Sequence, residues 1–127
     1  MNIGCKGSNM AISKNKIRKI IYQYILLLKQ DNLRISKVLL YGSYAKNKAS
    51  KESDIDLCIV SHDFGKNKAK EMSYLLKKAY KINLFIEPIP LSTSDWEEKD
   101  YLPLIAEIKK YGIEMHFPEL SNLNEII

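Results

Sequence analysis

The sequence predicts an α/β domain in which helices flank one small mixed β-sheet. Apolar residues recur at helical spacing in some stretches and form short, unbroken runs in others. Read in order, these stretches give helix, strand, strand, helix, strand, helix and strand, an alternation typical of a two-layer α/β fold. The 127 residues of the chain suit one compact domain.

The first predicted helix extends from Ser13 to about Gln30 and should end at the Asp31-Asn32 pair. Ser13 is expected to be the N-cap, and Ile12 is expected to contact Ile17 as a hydrophobic staple. The apolar residues at helical spacing are Ile17, Ile20, Ile21, Tyr24, Ile25, Leu27 and Leu28.

Two short strands follow, Lys37–Tyr41 and Asp54–Val60. The polar stretch between them is too short for a crossover helix, so the two strands should pair antiparallel. A second amphipathic helix is predicted for residues Lys66–Tyr80, with one apolar side that comprises Ala69, Met72, Leu76, Ala79 and Tyr80.

A third strand is predicted for Ile82–Glu87, where Pro88 and Pro90 should end it. The remaining elements are expected to be short. They are a helix that begins at Ser94–Glu97, a helix from Leu104 to Tyr111 closed by Gly112, and a strand in Ile113–Phe117. The domain is expected to span residues 13–117, between a flexible N-terminal segment (1–12) and a C-terminal tail (118–127).

The net charge of +5 favours acidic ligands or partners, but the lysines are dispersed and are typical of a solvated surface. Nucleic-acid binding rests on this charge alone and is disfavoured, because no interleaved aromatic residues accompany it. Cys5 and Cys58 have no spacing that indicates zinc or a disulfide. With no stretch long enough to span a membrane, a cytoplasmic location is expected by default.

Two aspartates on the second strand carry the most chemical information. Asp54 and Asp56 are two residues apart, so their side chains share one face of the strand, with Cα atoms roughly 7 Å apart. Two unpaired carboxylates there would repel each other, and a hard cation such as Mg²⁺ removes that repulsion. Glu87 alternates with the apolar residues of the third strand, which makes it a candidate third carboxylate, either a metal ligand or a proton acceptor.

Gly42 and Ser43 come directly after the first buried strand. Glycine lets a phosphate approach the backbone closely, and Ser43 offers a hydroxyl and an N–H group to an anion. Alone, this pair is typical of a plain turn. Its combination with Asp54 and Asp56 favours a site that binds a metal and a phosphate together.

These residues carry a family resemblance. Gly42-Ser43, ten further residues and then Asp54-Ile55-Asp56 resemble the signature of the polymerase-β nucleotidyltransferase superfamily. The string YGSYAKNKASKESDIDLCIV looks like the minimal nucleotidyltransferases of prokaryotes, which are often paired with a helical HEPN protein. The later string IEPIPLSTSDWEEKDYLPLIAEIKKYGIEM is similar to the C-terminal half of one branch of them.

The resemblance implies how a nucleotide would be held. Gly42, Ser43 and Lys46 would contact the triphosphate of ATP. The family often has Arg-Gly where this chain has Lys46-Asn47. Asn47 tolerates the left-handed conformation of a glycine, whereas Lys46 keeps the charge of arginine but loses its planar fork.

The resemblance also implies the reaction and a partner. Asp54 and Asp56 would hold Mg²⁺, two ions in the family pattern, with Glu87 assisting. AMP would pass from ATP to a hydroxyl group, for some members a tyrosine of a HEPN toxin, so that the pair forms a toxin–antitoxin system. An alternative is a binding module of the same fold that masks a HEPN partner by contact. The sequence leaves open the acceptor, the base preference and a homo- or hetero-oligomeric state.

Overall fold

The computed structural model describes residues 12–120. The expectations for residues 1–11, Cys5 included, and for residues 121–127 lie outside this range. The helices are α1 (Lys14–Gln30), α2 (Lys68–Tyr80), α3 (Thr93–Glu98) and α4 (Pro103–Tyr111). The strands are β1 (Ile35–Tyr41), β2 (Ile55–Ser61), β3 (Ile86–Ser92) and β4 (Ile113–Glu114), and a 3₁₀ turn covers Pro118–Leu120. This order of elements confirms the predicted α/β class.

The four strands form one mixed sheet in the order β3-β2-β1-β4. The predicted antiparallel pairing of β1 with β2 is confirmed, and β4 also runs antiparallel to β1. β3 runs parallel to β2, because α2 carries the chain across one face of the sheet between them. The second and third strands therefore begin at the same end of the sheet.

Helix α1 forms as its sequence pattern predicts. The hydroxyl of Ser13 accepts a hydrogen bond from the N–H of Lys16 and caps the helix. Tyr24, fully buried on the inner side, donates its hydroxyl hydrogen to the carbonyl of Leu75 in α2. This bond satisfies a polar group at the centre of the core and ties the two helices together.

The predicted position of the third strand is wrong. Residues 82–85 form turns, and the strand begins at Ile86 and continues through both Pro88 and Pro90. β3 is an edge strand, where a residue without an N–H group costs no hydrogen bond to a neighbour. The alternation around Glu87 survives this correction, since Ile86 and Pro88 are buried and Glu87 is exposed.

Helices cover both faces of the sheet. On the first face, α1 and α2 pack over a large core that includes Leu40, Leu57 and Leu75. On the second face, Ile108 of α4 and Trp96 of α3 cover Cys58 and Val60. The polar residues of the second face are consequently confined to one end of the strands.

Several predicted boundaries and contacts shift with the packing. In α2 the residues buried in the core are Leu75 and Ala79, whereas Tyr80 is exposed. Leu120 is buried and Ile12 packs against the core, so the packed domain extends beyond the predicted limits of 13 and 117 at both ends. None of the helices within residues 12–120 is long and apolar enough to cross a membrane.

Candidate active site

A row of three polar side chains crosses the sheet on its second face. Tyr41 of β1 lies opposite Asp56 of β2 in the antiparallel pair, and Asp56 lies opposite Glu87 of β3 in the parallel pair. Neighbouring strands are about 4.8 Å apart, so the three Cα atoms span about 10 Å. The row lies where β1 ends and where β2 and β3 begin, beyond the part of the face that α4 covers.

Asp56 is the central carboxylate of this row, and its surroundings disfavour its charged form. Burial, together with the smaller effects of the nearby carboxylates of Asp54 and Glu87, raises the pKa of Asp56 to about 6. Within residues 12–120, the carboxylate of Asp56 accepts no hydrogen bond and forms no ion pair that would lower its pKa again. Asp54, directly before β2, is exposed. A cation placed between the aspartates would offset both the burial of the charge and the repulsion between the carboxylates.

Gly42 lies directly against this carboxylate. A Cβ atom added at Gly42 would be 2.1 Å from Oδ2 of Asp56, far closer than atoms can approach. The backbone of Gly42 also has φ +73°, in the left-handed region that residues with side chains avoid. Glycine is therefore required at position 42 for two reasons, its backbone conformation and the position of the Asp56 carboxylate.

The chain after Gly42 makes one helical turn. The N–H of Lys46 donates to the carbonyl of Gly42 (3.2 Å), and the N–H of Lys48 donates to that of Ser43 (2.9 Å). Asn47 closes the turn with φ +57°, which confirms the conformation expected from its replacement of glycine. The N–H groups of Ser43 and its next two neighbours donate to nothing in the described part of the chain, so they are free to meet an anion.

The structure also brings together two residues that the sequence analysis did not assign to the site, Tyr41 and Glu107. Burial and the carboxylates of Asp56, Glu87 and Glu107 raise the pKa of the half-buried Tyr41, which locates Glu107 of α4 near the row. The ammonium of Lys46, predicted to bind phosphate, lies 3.5 Å from Oε2 of Glu107. Glu107 carried no sequence signal, because a charged residue on an exposed helix surface is ordinary.

The carboxylates suit Mg²⁺ in kind but do not form a complete set of ligands. Within residues 12–120, no three histidine, cysteine or acidic side chains are grouped closely enough to hold a metal ion. Mg²⁺ is usually held by one or two protein carboxylates, with substrate phosphates and water as its other ligands. Asp54 and Asp56 fit that pattern, with Glu87 beside them as a less direct participant.

A separate cavity of about 600 Å³ lies behind the turn, lined by Leu40, Tyr44, Met115 and the start of α1. Leu40 points to the first face of the sheet, so this cavity is not the carboxylate site. Tyr44 packs against the main core, and its buried hydroxyl has no hydrogen-bond partner among the described residues. Trp96 also packs at the edge of a core, on the second face of the sheet.

A comparison with known protein families identifies the family of the chain. The family model described as "Nucleotidyltransferase domain" matches residues 21–121, most of the chain. The chain belongs to this nucleotidyltransferase family, which confirms the family and the class of enzyme predicted from Gly42-Ser43 and the two aspartates.

Two relatives come from Methanocaldococcus jannaschii, and each is named "putative protein adenylyltransferase". One is 45% identical over 58 residues, which are 46% of this chain and 45% of the relative, so the match spans less than half of that protein. The other is 27% identical over 84 residues, covering 65% of this chain and 80% of the relative.

A solved structure supports the fold. The crystal structure of a "putative nucleotidyltransferase" from Sulfolobus solfataricus superposes with a TM-score of 0.58. The superposition covers 82% of this chain and 83% of the other, at 17% sequence identity. The polymerase-β-like arrangement of sheet and helices is thereby confirmed.

We expect Gly42→Ala to weaken the binding of Mg²⁺–ATP by roughly tenfold or more, because the added methyl group must displace the Asp56 carboxylate. The left-handed backbone should also destabilise the fold by about 1–2 kcal/mol. The control is Gly65→Ala, with φ +107° and a Cβ 3.0 Å from that of Ser92, at the other end of β2. It should destabilise the fold comparably and leave binding intact. Equal losses of binding in the two folded variants would contradict the assignment.

We expect Asp56→Asn to stabilise the metal-free protein at pH 8 by about 1–2 kcal/mol. The folded-state pKa is raised, so wild-type stability falls as pH rises from about 4 to about 6 and stays low above that range. Asparagine cannot ionise, so the variant does not lose stability over this pH range. Urea unfolding in the presence of a chelator, at pH 4 and pH 8, measures the difference. A stability gain of the same size at pH 4 would show that charge is not its cause.

Proposed function

We propose that the protein transfers AMP from ATP to a hydroxyl group of a protein acceptor in a Mg²⁺-dependent reaction. The observation that carries this proposal is the contact between the Gly42 turn and the Asp56 carboxylate. It brings a segment with free N–H groups next to a set of carboxylates, which is what a metal-bound triphosphate requires.

Asp54 and Asp56 are the proposed metal ligands, and the triphosphate is expected to complete the coordination. The metal would neutralise the charge on the triphosphate and on the pyrophosphate that leaves. The N–H groups after Gly42, the hydroxyl of Ser43 and the ammonium of Lys46 would orient the phosphates.

The proposed reaction is an in-line displacement at the α-phosphorus. The acceptor oxygen forms a bond to this phosphorus, the bond to the β-phosphate oxygen breaks, and pyrophosphate leaves with the electron pair. The proton of the acceptor hydroxyl passes to a carboxylate. We assign this role to Glu87, because it is exposed beside Asp56 in the row and does not join a three-ligand cluster.

The acceptor is proposed to be a protein, in keeping with the names of the two relatives. The carboxylate row lies at an open end of the sheet, so a protein acceptor would enclose the side of the site that this chain leaves exposed. We propose a tyrosine of a HEPN-type partner as this acceptor, which would make the chain an antitoxin acting inside the cell. The net charge of +5 would steer an acidic partner at low ionic strength.

Co-expression with such a partner, followed by intact-mass measurement, tests the transfer. The partner should gain one AMP mass or a multiple of it, and pyrophosphate should be released in the purified reaction. Asp54→Asn with Asp56→Asn should abolish the gain, because it removes the ligands of the metal, and should leave the complex formed.

Silencing of the partner to the same extent by the double variant, with no change of mass in either case, would instead support neutralisation by contact. Transfer by the double variant at the wild-type rate would mean that the assigned site is wrong.

A further inference from the structure

Lys46 is held at the edge of the candidate site by two residues of α4. Its ammonium lies 3.5 Å from the carboxylate of Glu107 and 5.0 Å from the centroid of the Tyr111 ring. Glu107 and Tyr111 are four residues apart, so they lie one above the other on the same side of the helix. One helix surface thus supplies both an ion pair and a cation–π contact to the same side chain.

Neither contact uses up the hydrogen-bonding capacity of Lys46. A separation of 3.5 Å is long for an N–H···O hydrogen bond, and the ring contact is purely electrostatic. An ammonium group carries three donors, so donors remain for phosphate oxygens beside the contact with Glu107. The pair is also about one-third to one-half exposed, and an incoming ligand can reach it.

The place of this contact ties it to the site. Lys46 belongs to the turn that begins at Gly42, against the carboxylate of Asp56. Glu107 lies close enough to Tyr41 to act on its hydroxyl electrostatically, and Tyr41 is the neighbour of Asp56 in the row. The ammonium is therefore fixed between the phosphate-binding turn and α4, on the face that carries the carboxylates.

We infer that Glu107 and Tyr111 are positioning residues, which hold the Lys46 ammonium in place so that it can donate to the triphosphate. This inference rests on the proposed nucleotidyl transfer. A free lysine side chain has many rotamers, and ordering it before the nucleotide arrives removes that entropic cost from binding. With this support, Lys46 would offer the phosphates a positioned point charge in place of the planar fork of an arginine.

Glu107 has a second physical effect on nucleotide binding, through repulsion, and it changes the affinity in the opposite direction. A carboxylate near the site repels the triphosphate, so its removal would tighten binding. If Glu107 acts through Lys46, its removal weakens binding, and only while Lys46 is present. The sign and the dependence on Lys46 can both be measured.

The experiment measures the dissociation constant of Mg²⁺–ATP by calorimetry for four proteins: wild type, Glu107→Gln, Lys46→Met and the double variant. We expect Glu107→Gln to weaken binding about 2- to 10-fold in the wild-type background and not at all in the Lys46→Met background. Tyr111→Leu, which keeps apolar bulk, should weaken binding in the same direction.

Lys110→Met is the matched control. Lys110 also lies over the Tyr111 ring, at 5.2 Å, but it is not part of the turn, so its removal should leave the dissociation constant unchanged. Melting temperatures show whether each variant is folded.

Tighter binding by Glu107→Gln, or equal weakening with and without Lys46, would overturn the positioning role and leave the proposed function intact. Failure of wild type to bind Mg²⁺–ATP at all would overturn the proposed function and this inference together.

Discussion

Gly42 has no side chain, and the carboxylate of Asp56 occupies the space that a Cβ would take. This contact fixes how the end of β1 meets the start of β2. It requires the two strands to be paired in the observed antiparallel register, in which Tyr41 lies opposite Asp56. It also sets the direction in which the chain leaves β1, and therefore the position of the helical turn with its free N–H groups. The distance between the Gly42 turn, the proposed phosphate-binding segment, and the carboxylates thus follows from one van der Waals contact.

The environment of the Asp56 carboxylate also lowers the stability of the folded protein when no ligand is bound. The part of the face directly beyond Asp56 is apolar, with Cys58 and Val60 fully buried beneath α4. Burial raises the pKa of the Cys58 thiol to about 12, so this cysteine behaves as a small apolar residue. The carboxylate of Asp56 lies at the border of this apolar surface and is only partly solvated, and its neighbours Asp54 and Glu87 carry the same charge. A metal-bound nucleotide, as proposed, would compensate for the incomplete solvation and for the repulsion, which would link binding energy and stability at Asp56.

Local patterns predicted the parts of this arrangement that depend on local chemistry. The cap at Ser13, the antiparallel pairing of β1 with β2 and the left-handed Asn47 follow from neighbouring residues alone. The start of β3 could not be predicted, because Pro88 and Pro90 are compatible with a strand only at a sheet edge, and edge position is a property of the whole sheet. Glu107 and Tyr41 were missed for a related reason. Tyr41 lies beside Asp56 because of the register of β1 against β2, and Glu107 approaches the carboxylates because of the way α4 packs across the second face.

In the proposed complex, a metal-bound nucleotide lies between the Gly42 turn and the two aspartates. Mn²⁺ accepts the same oxygen ligands as Mg²⁺ and broadens the NMR signals of nearby nuclei. With a non-hydrolysable ATP analogue and Mn²⁺, the account predicts selective broadening of the amide signals of Gly42, Asp54 and Glu87, and its loss in the Asp54→Asn, Asp56→Asn double variant. Broadening centred instead on Glu114 and His116, or equal broadening in the double variant, would contradict the account.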